Sequence, residues 1–464
     1  MAARELAETA PSEVNLKAVV SLAPDIPNDT ESVVPDGADD APQCADSVLE
    51  GSQVPAYLVI NGSHDGDTGA DGFGFYDRAG TEFAPPPDGL TKSMVWIYRR
   101  RHNGFVAPPI FTEEVGILPD PESLSDETHH MLLKAYANGF LRWHLKNHWH
   151  YRDLFSGAAR SPKVQEVADD NGDGEVKVYL QYSEGGGARR RVIDNFECPE
   201  SCGGPGEPQC WEISTLGEEV IKVGDNSVAA EIRLENHDTE YEKHRTRALF
   251  MRWDEVAPID VPRLHFNVPQ GVDEVNGWGD QSRTPGGEMN DVRFFTHLSF
   301  RVGQVPDALL NTIPDEPLNG DPFDPASLQP LDFNVELEDL YGVTQRVKVS
   351  EVGDLYTPLS GEPNPYIGEI AYPVGPELIL NGTPVEQVFA HLQTIRIPIT
   401  AFCDVDLTRL KRVSLELDED SDTLPDGTRH FRGFFVLDSL EFVAERASFH
   451  CELKPNRSTE PKTK

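Results

Sequence analysis

No run in this 464-residue chain approaches the eighteen or so apolar residues of a membrane-spanning helix. The opening residues, Met1 to Ala10, are acidic and Ala-rich and lack the basic start and apolar core of a signal peptide. Positive charge is scarce: 40 Lys and Arg stand against 79 Asp and Glu, a formal net charge of −39. Such a surface repels phosphate backbones and anionic headgroups, which sets nucleic acid and membrane surfaces aside as partners. Cysteine is sparse too, at Cys44, Cys198, Cys202, Cys210, Cys403 and Cys451. Three of these fall in a Gly/Pro loop, Cys198 to Cys210, with no fourth ligand at a knuckle spacing, so disulfides of an exported protein are expected there rather than zinc. An extracellular or periplasmic location follows as an expectation. Strong acidity fits a secreted or a salt-adapted protein, and composition does not choose between them.

What is present divides at about residue 157. Before it, Leu16 to Pro24, Tyr57 to Ile60 and Ser93 to Tyr98 read as strands, the first apolar on both faces as buried parallel strands are. Phe73 to Gly80 reads as a short helix, and Ser125 as the cap of a long one. Leu133, Tyr136, Ala137, Phe140, Leu141 and Leu145 recur at three and four, predicting its apolar face. Strands followed by a closing helix match the last part of a doubly wound α/β domain. Gly157 to Lys163 reads as a linker, and beyond it helical periodicity nearly vanishes. Short β-rich runs take over, from Val176 to Tyr182 through Phe434 to Phe442, separated by Gly, Pro, Asn and Asp. The expected fold class is therefore α/β plus all-β. Residues 1–157 form a partial α/β domain, 158–446 an antiparallel β-sandwich or jelly roll, and 447–464 a disordered tail.

Two of the early strands end in chemistry. Tyr57 to Ile60 runs into Asn61-Gly62-Ser63-His64-Asp65, and Met94 to Tyr98 into Arg99-Arg100-Arg101-His102-Asn103-Gly104. Carboxyl ends of parallel strands are where open α/β sheets place their ligands. A carboxylate there can accept the proton of one imidazole nitrogen and fix the tautomer in which the other acts as base. Asp65 or His102 alone would read as an ordinary loop residue; their placement at successive strand ends marks the pair. Asp67 is the alternative acid, and His64 reads as a local hydrogen-bonder.

With those residues in view, 15–150 resembles the carboxyl-terminal half of serine α/β-hydrolases of the chlorophyllase, dienelactone hydrolase and polyester-hydrolase type. Leu16 to Pro24 looks like the strand after the nucleophile helix, and Tyr57 to Asp67 like the acid-bearing strand and turn. Met94 to Phe105 looks like the strand carrying the base, and the helix from Ser125 like the one that closes the fold. The resemblance implies that Asp65 orients the base, that His102 takes the nucleophile's proton, and that the substrate is a carboxylic ester. The family's Gly-x-Ser-x-Gly turn occurs nowhere; Gly62-Ser63-His64-Asp65-Gly66 has its Ser one place early. Without a nucleophile the pair cannot run acyl-enzyme chemistry. The expectation is the distal portion of an exported serine ester hydrolase, opening inside the helix after the nucleophile and inactive by itself.

Weaker signals lie elsewhere. Asp169, Asn171 and Asp173 with Gly174 resemble the opening of a calcium loop, but Leu180 stands where an EF-hand needs Glu; a polar turn is the simpler reading. That structural calcium is the one ion the sequence raises, and no other cofactor is expected. His129, His130, His144, His148 and His150 invite a metal, yet the helix ends among the last three, where His suits its dipole. The second part resembles galactose-binding-like sandwiches in Arg191 to Glu197, Leu298 to Val302, Asp332 to Asp339, Thr394 to Ile399 and Leu437 to Phe442. In such modules exposed aromatics stack on sugars. Trp211, Trp253, Trp278 and Tyr366 are candidates; Trp253 sits in a strand and is expected in the core, and Trp278 in a polar loop is the leading one. A non-catalytic carbohydrate-binding or structural protein, with a polysaccharide as partner, is the rival reading.

Overall fold

The structure, a computed structural model, describes residues 17–22, 56–64, 71–79, 90–101, 126–156, 178–183, 189–196, 210–224, 228–233, 247–256, 261–270, 290–304, 332–353, 355, 378–380, 383–385, 392–417, 421–423 and 429–444. In the first part β1 (Val19–Leu22), β2 (Ala56–His64) and β3 (Thr91–Arg101) run parallel in that order. Helix α1 (Asp71–Arg78) lies between β2 and β3 in sequence, and α2 (Asp126–Lys146) follows, with a 3-10 helix at Trp149–Leu154. Strand alternation divides the apolar residues between two faces. Leu58, Ile60, Val95 and Ile97 pack with Leu132, Tyr136, Phe140 and Trp143 of α2. Tyr57, Val59, Met94 and Trp96 pack with Phe73 and Tyr76 of α1. Helices thus cover both faces of the parallel strands, which is why Tyr57–Ile60 of β2 and Met94–Ile97 of β3 are apolar on both sides.

Three expectations need correction. The run expected to open the sandwich is β4 (Val178–Ser183), and it pairs antiparallel with β3, from Lys92↔Ser183 to Ile97↔Val178. Its side chains serve the first sheet: Val178 and Tyr182 join the α2 face, and Tyr179 meets Trp96 edge-on on the other. Second, α2 is rotated from its expected face. Leu132, Tyr136, Phe140 and Trp143 are buried, while Leu145 is 53% exposed. Bulky aromatics fill the space over the sheet, so the Leu132–Trp143 stripe wins over the Leu133–Leu145 one. Third, β1 is half-buried rather than buried, because β2 is its one partner among the described strands.

The second part is an antiparallel sandwich. One sheet orders β15 (Gln393–Pro398), β10 (His297–Gln304), β18 (Arg429–Ala444), β8 (Arg247–Val256) and β7 (Val228–Arg233), with β5 (Arg189–Asp194) and β17 (Ser421–Thr423) also on β18. The other orders β12 (Thr344–Lys348), β11 (Asn334–Asp339), β16 (Leu410–Glu416), β9 (Arg263–Asn267) and β6 (Val220–Val223). A two-strand ribbon joins β13 (Leu378–Leu380) to β14 (Thr383–Val385). Inward residues of both sheets make one core: Leu249, Met251, Trp253, Phe300, Phe435 and Leu437 face Leu264, Phe266, Val335, Leu337, Val413 and Leu415. At Gly433 a Cβ would lie 2.1 Å from the Trp253 ring, so the glycine is what lets that indole lie flat across β18. β18 pairs with β8 through its first half and β5 through its second, changing partner at Ser439, whose φ is 54°.

Candidate functional site

The expected acid and base lie outside the described residues, but the strands that deliver them do not. β2 and β3 end together, His64 opposite Arg101 after a register shift past Gly62. Asp65 and His102 follow these residues in sequence. Glycine is required at 62, since a Cβ there would sit 2.4 Å from the Arg100 carbonyl oxygen. Asn61 accepts a hydrogen bond from the Gly62 N–H at 2.8 Å, and a Cβ on Gly72 would press on Asn61 at 2.9 Å. These close approaches seat the start of α1 against the end of β2.

Sequence reasoning missed Arg100 and Thr128 and took His129 only as one of a group that invites a metal; all three are buried, and the Arg100 charge acts on His129. Burial, then the Arg100 charge and then His130, hold the His129 imidazole down to about 2, so it is neutral at working pH. The signal that could have found Arg100 is the run Arg99-Arg100-Arg101: side chains alternate along a strand, so one of three consecutive arginines must point inward.

Other sequence candidates resolve less favourably. Asp67, Asp169, Asn171, Asp173, Trp278 and Tyr366 lie outside the described residues. Among the described residues no group of His, Cys, Asp and Glu could hold a metal. His144 packs on Trp143 and Phe140 and burial lowers its pKa to about 4, while His148 and His150 stack on each other and on Tyr151. Trp253 is in the core as expected, and Trp211 packs against it half-buried. Cys403 is disulfide-bonded. No described helix is long and apolar enough to cross a membrane.

A second polar cluster joins the two parts of the chain. The outer face of the β10–β18 sheet is covered by α1 and β4, so its polar residues are buried in pairs. Arg301 donates to Asp77 Oδ1 of α1 and to Gln181 Oε1 of β4, both at 2.9 Å, and to the Asp438 carboxylate of β18. Burial opposes the Arg301 charge, and Asp438 and Asp77 outweigh it, keeping the guanidinium protonated. Lys92 Nζ donates to the Asp77 carbonyl oxygen at 2.9 Å and lies over the Tyr76 ring, with burial lowering its pKa to about 8. Nearby the Tyr182 N–H donates to Thr394 Oγ1 at 2.9 Å, and Arg396 covers the Tyr182 ring. This cluster is a structural joint: Arg301, Asp77, Asp438 and Lys92 each find a partner within it.

No family model and no curated protein matches the chain. Among solved structures it is similar to an exo-β-agarase, at 11% identity over 56% of this chain and 25% of that one, with a TM-score of 0.24. It is also similar to a second agarase, at 12% identity over 51% and 25%, with a TM-score of 0.19. The chain thus matches a quarter of the length of each, and likenesses this weak carry no functional argument.

Proposed function

We propose that this chain carries the acid and the base of a serine ester hydrolase, as the distal portion of an exported enzyme with the β-sandwich as its accessory domain. One observation carries the reading: parallel strands β2 and β3 end in register at His64 and Arg101, and the next residues are Asp65 and His102. Neighbouring parallel strands lie about 4.8 Å apart. Strand ends this close are what a carboxylate–imidazole pair delivered by successive strands requires. In that arrangement Asp65 holds the imidazole in one tautomer and His102 accepts the proton of a serine hydroxyl as it attacks the ester carbonyl. The disulfide at Cys403 supports export, since such bonds persist in oxidising compartments.

The test is direct. This chain alone should hydrolyse p-nitrophenyl butyrate at the background rate, because no Gly-x-Ser-x-Gly is present. If the reading frame upstream of Met1 encodes that turn, the longer product should be active, and His102→Ala should slow it about 10²- to 10⁴-fold. An active longer product indifferent to both Asp65→Ala and His102→Ala overturns the assignment. The rival reading, a glycan-binding sandwich, loses two of its candidates to packing, since Trp253 is buried and Trp211 lies against the core.

A further inference from the structure

One basic segment of this acidic chain is not used by the ester-hydrolase reading. From Thr128 to Arg152 there is no Asp or Glu, although the chain holds 79 of them. The same stretch supplies Lys134, Arg142 and Lys146, with His148 and His150; Glu127 and Asp153 flank it, and Arg152 pairs with Asp153. Folding sorts them. α2 turns Leu132, Tyr136, Phe140 and Trp143 onto the sheet, which leaves Lys134, Asn138, Arg142 and Lys146 exposed at successive i+4 positions. At 1.5 Å per residue this row is about 18 Å long, with a step of about 6 Å.

The row ends on an aromatic platform. Past Lys146 the chain turns through Asn147, at φ 60°, into the 3-10 helix. His148 and His150 stack with ring centroids 5.6 Å apart, and each ring also meets Tyr151. Arg142 donates to Tyr151 Oη at 3.1 Å and lies over its ring, joining row and platform. Trp149, between the two histidines in sequence, is 41% exposed. Rings that present a face to water suit the apolar faces of sugars, while the cations and Asn138 suit carboxylates and hydroxyls.

We propose that the exposed row of α2 and the Trp149 platform together form a binding surface for an anionic polysaccharide, a chain bearing about one carboxylate per one or two sugars. Charge complementarity is local: at physiological ionic strength charges beyond about 8 Å are screened, so the row outweighs the distant acidic surface. A step of about 6 Å between side chains matches separated carboxylates. It is too sparse for a DNA duplex, which carries one charge per ~1.7 Å. The proposal does not rest on ester hydrolysis.

The intact chain is run by affinity electrophoresis through gels containing polygalacturonate, dextran of similar size, or duplex DNA at 50 mM and 300 mM salt. Expected are retardation by polygalacturonate at low salt, weaker at high salt, and none by dextran. The triple variant Lys134→Ser, Arg142→Ser, Lys146→Ser should bind at least tenfold more weakly with an unchanged thermal melt. Trp149→Ala should weaken binding at least threefold while keeping its salt dependence. Absence of retardation, equal retardation by dextran, retardation by DNA as strong as by polygalacturonate, or binding unaffected by the triple variant would each overturn the proposal.

Discussion

Arg301→Met tests whether the α/β part and the sandwich are held together by charge. The guanidinium lies between Asp77 of α1 and Asp438 of β18, with side-chain exposures of 10%, 3% and 1%. Methionine keeps most of the stem's volume but leaves two buried carboxylates without their cation. Removing one partner of a buried ion pair typically costs about 3–5 kcal/mol, because the remaining charge is stranded. Here Lys92 sits near Asp77 and offsets part of that cost, and the carboxyls can take up protons, so the lower end, about 3 kcal/mol, is expected. Burial already pushes the Asp438 carboxyl upward against the pull of Arg301, and the loss of Arg301 lets it rise further. The damage should therefore ease as pH falls and the carboxyls protonate. Urea unfolding followed by circular dichroism, with hydrogen exchange read separately on β2–β3 and β8–β18, measures both cost and place. The triple variant Arg301→Met, Asp77→Asn, Asp438→Asn removes both stranded carboxylates and should recover part of the loss, Lys92 giving up its proton as burial already favours. An unchanged midpoint in the single variant, or a triple variant as damaged as the single, would refute the reasoning.

Two further outcomes follow from buried groups. Burial holds His129 at about 2 and, with Arg412 and Arg263, His265 at about 4, against 6.5 when unfolded. Below pH 6.5 the unfolded chain binds protons that the folded chain refuses, so their stability contribution is full above 6.5 and is lost as pH falls toward the folded values. At pH 5 the loss is up to about 2 kcal/mol for each. His129→Gln should flatten this limb of the stability–pH curve between pH 5 and 6.5, and a variant with the wild-type slope would contradict the assignment. At Gly433→Ala the new methyl meets the Trp253 ring where the core is full, costing about 1–3 kcal/mol by denaturant unfolding. Adding Trp253→Phe should restore part of that loss, and a lone Gly433→Ala as stable as wild type would show that the indole has room to shift.

Where the sequence was legible, one physical rule governed the residue. Alternation with apolar residues on both faces marked β2 and β3, and the loss of helical period after Phe155 marked the sandwich. Reading failed where two rules compete. Val178, Leu180 and Tyr182 alternate as any sandwich strand would, and nothing within the hexapeptide says that its partner is β3. On α2 two apolar stripes overlap, and choosing between them needs the shape of the sheet surface that aromatic rings fill. At the sheet end, Asp65 and His102 announce themselves by residue type, whereas Arg100 and His129 are buried polar groups whose role depends on neighbours distant in sequence. A lone arginine in a basic run reads as solvated until the packing turns it inward.

The joint between the two parts follows from the same limitation. Read alone, β10, β15 and β18 alternate Ser299, Arg301, Thr394, Arg396, Asp438 and Glu441 with apolar residues, as a sheet with one face in water would. All six are buried, under α1 and β4 or within their own pairs, as Glu441 is with Arg190. An apolar face could accept its neighbour at many angles, since hydrophobic burial is non-directional. Arg301 can reach Asp77 on α1, Gln181 on β4 and Asp438 on its own sheet together in one orientation only. Desolvating such a cluster adds little net stability; its effect is to select the angle at which the sandwich meets the parallel sheet. That angle leaves the Lys134–Lys146 row in solvent while β4 and α1 are covered, so the arrangement that closes one surface of the α/β part keeps the other open.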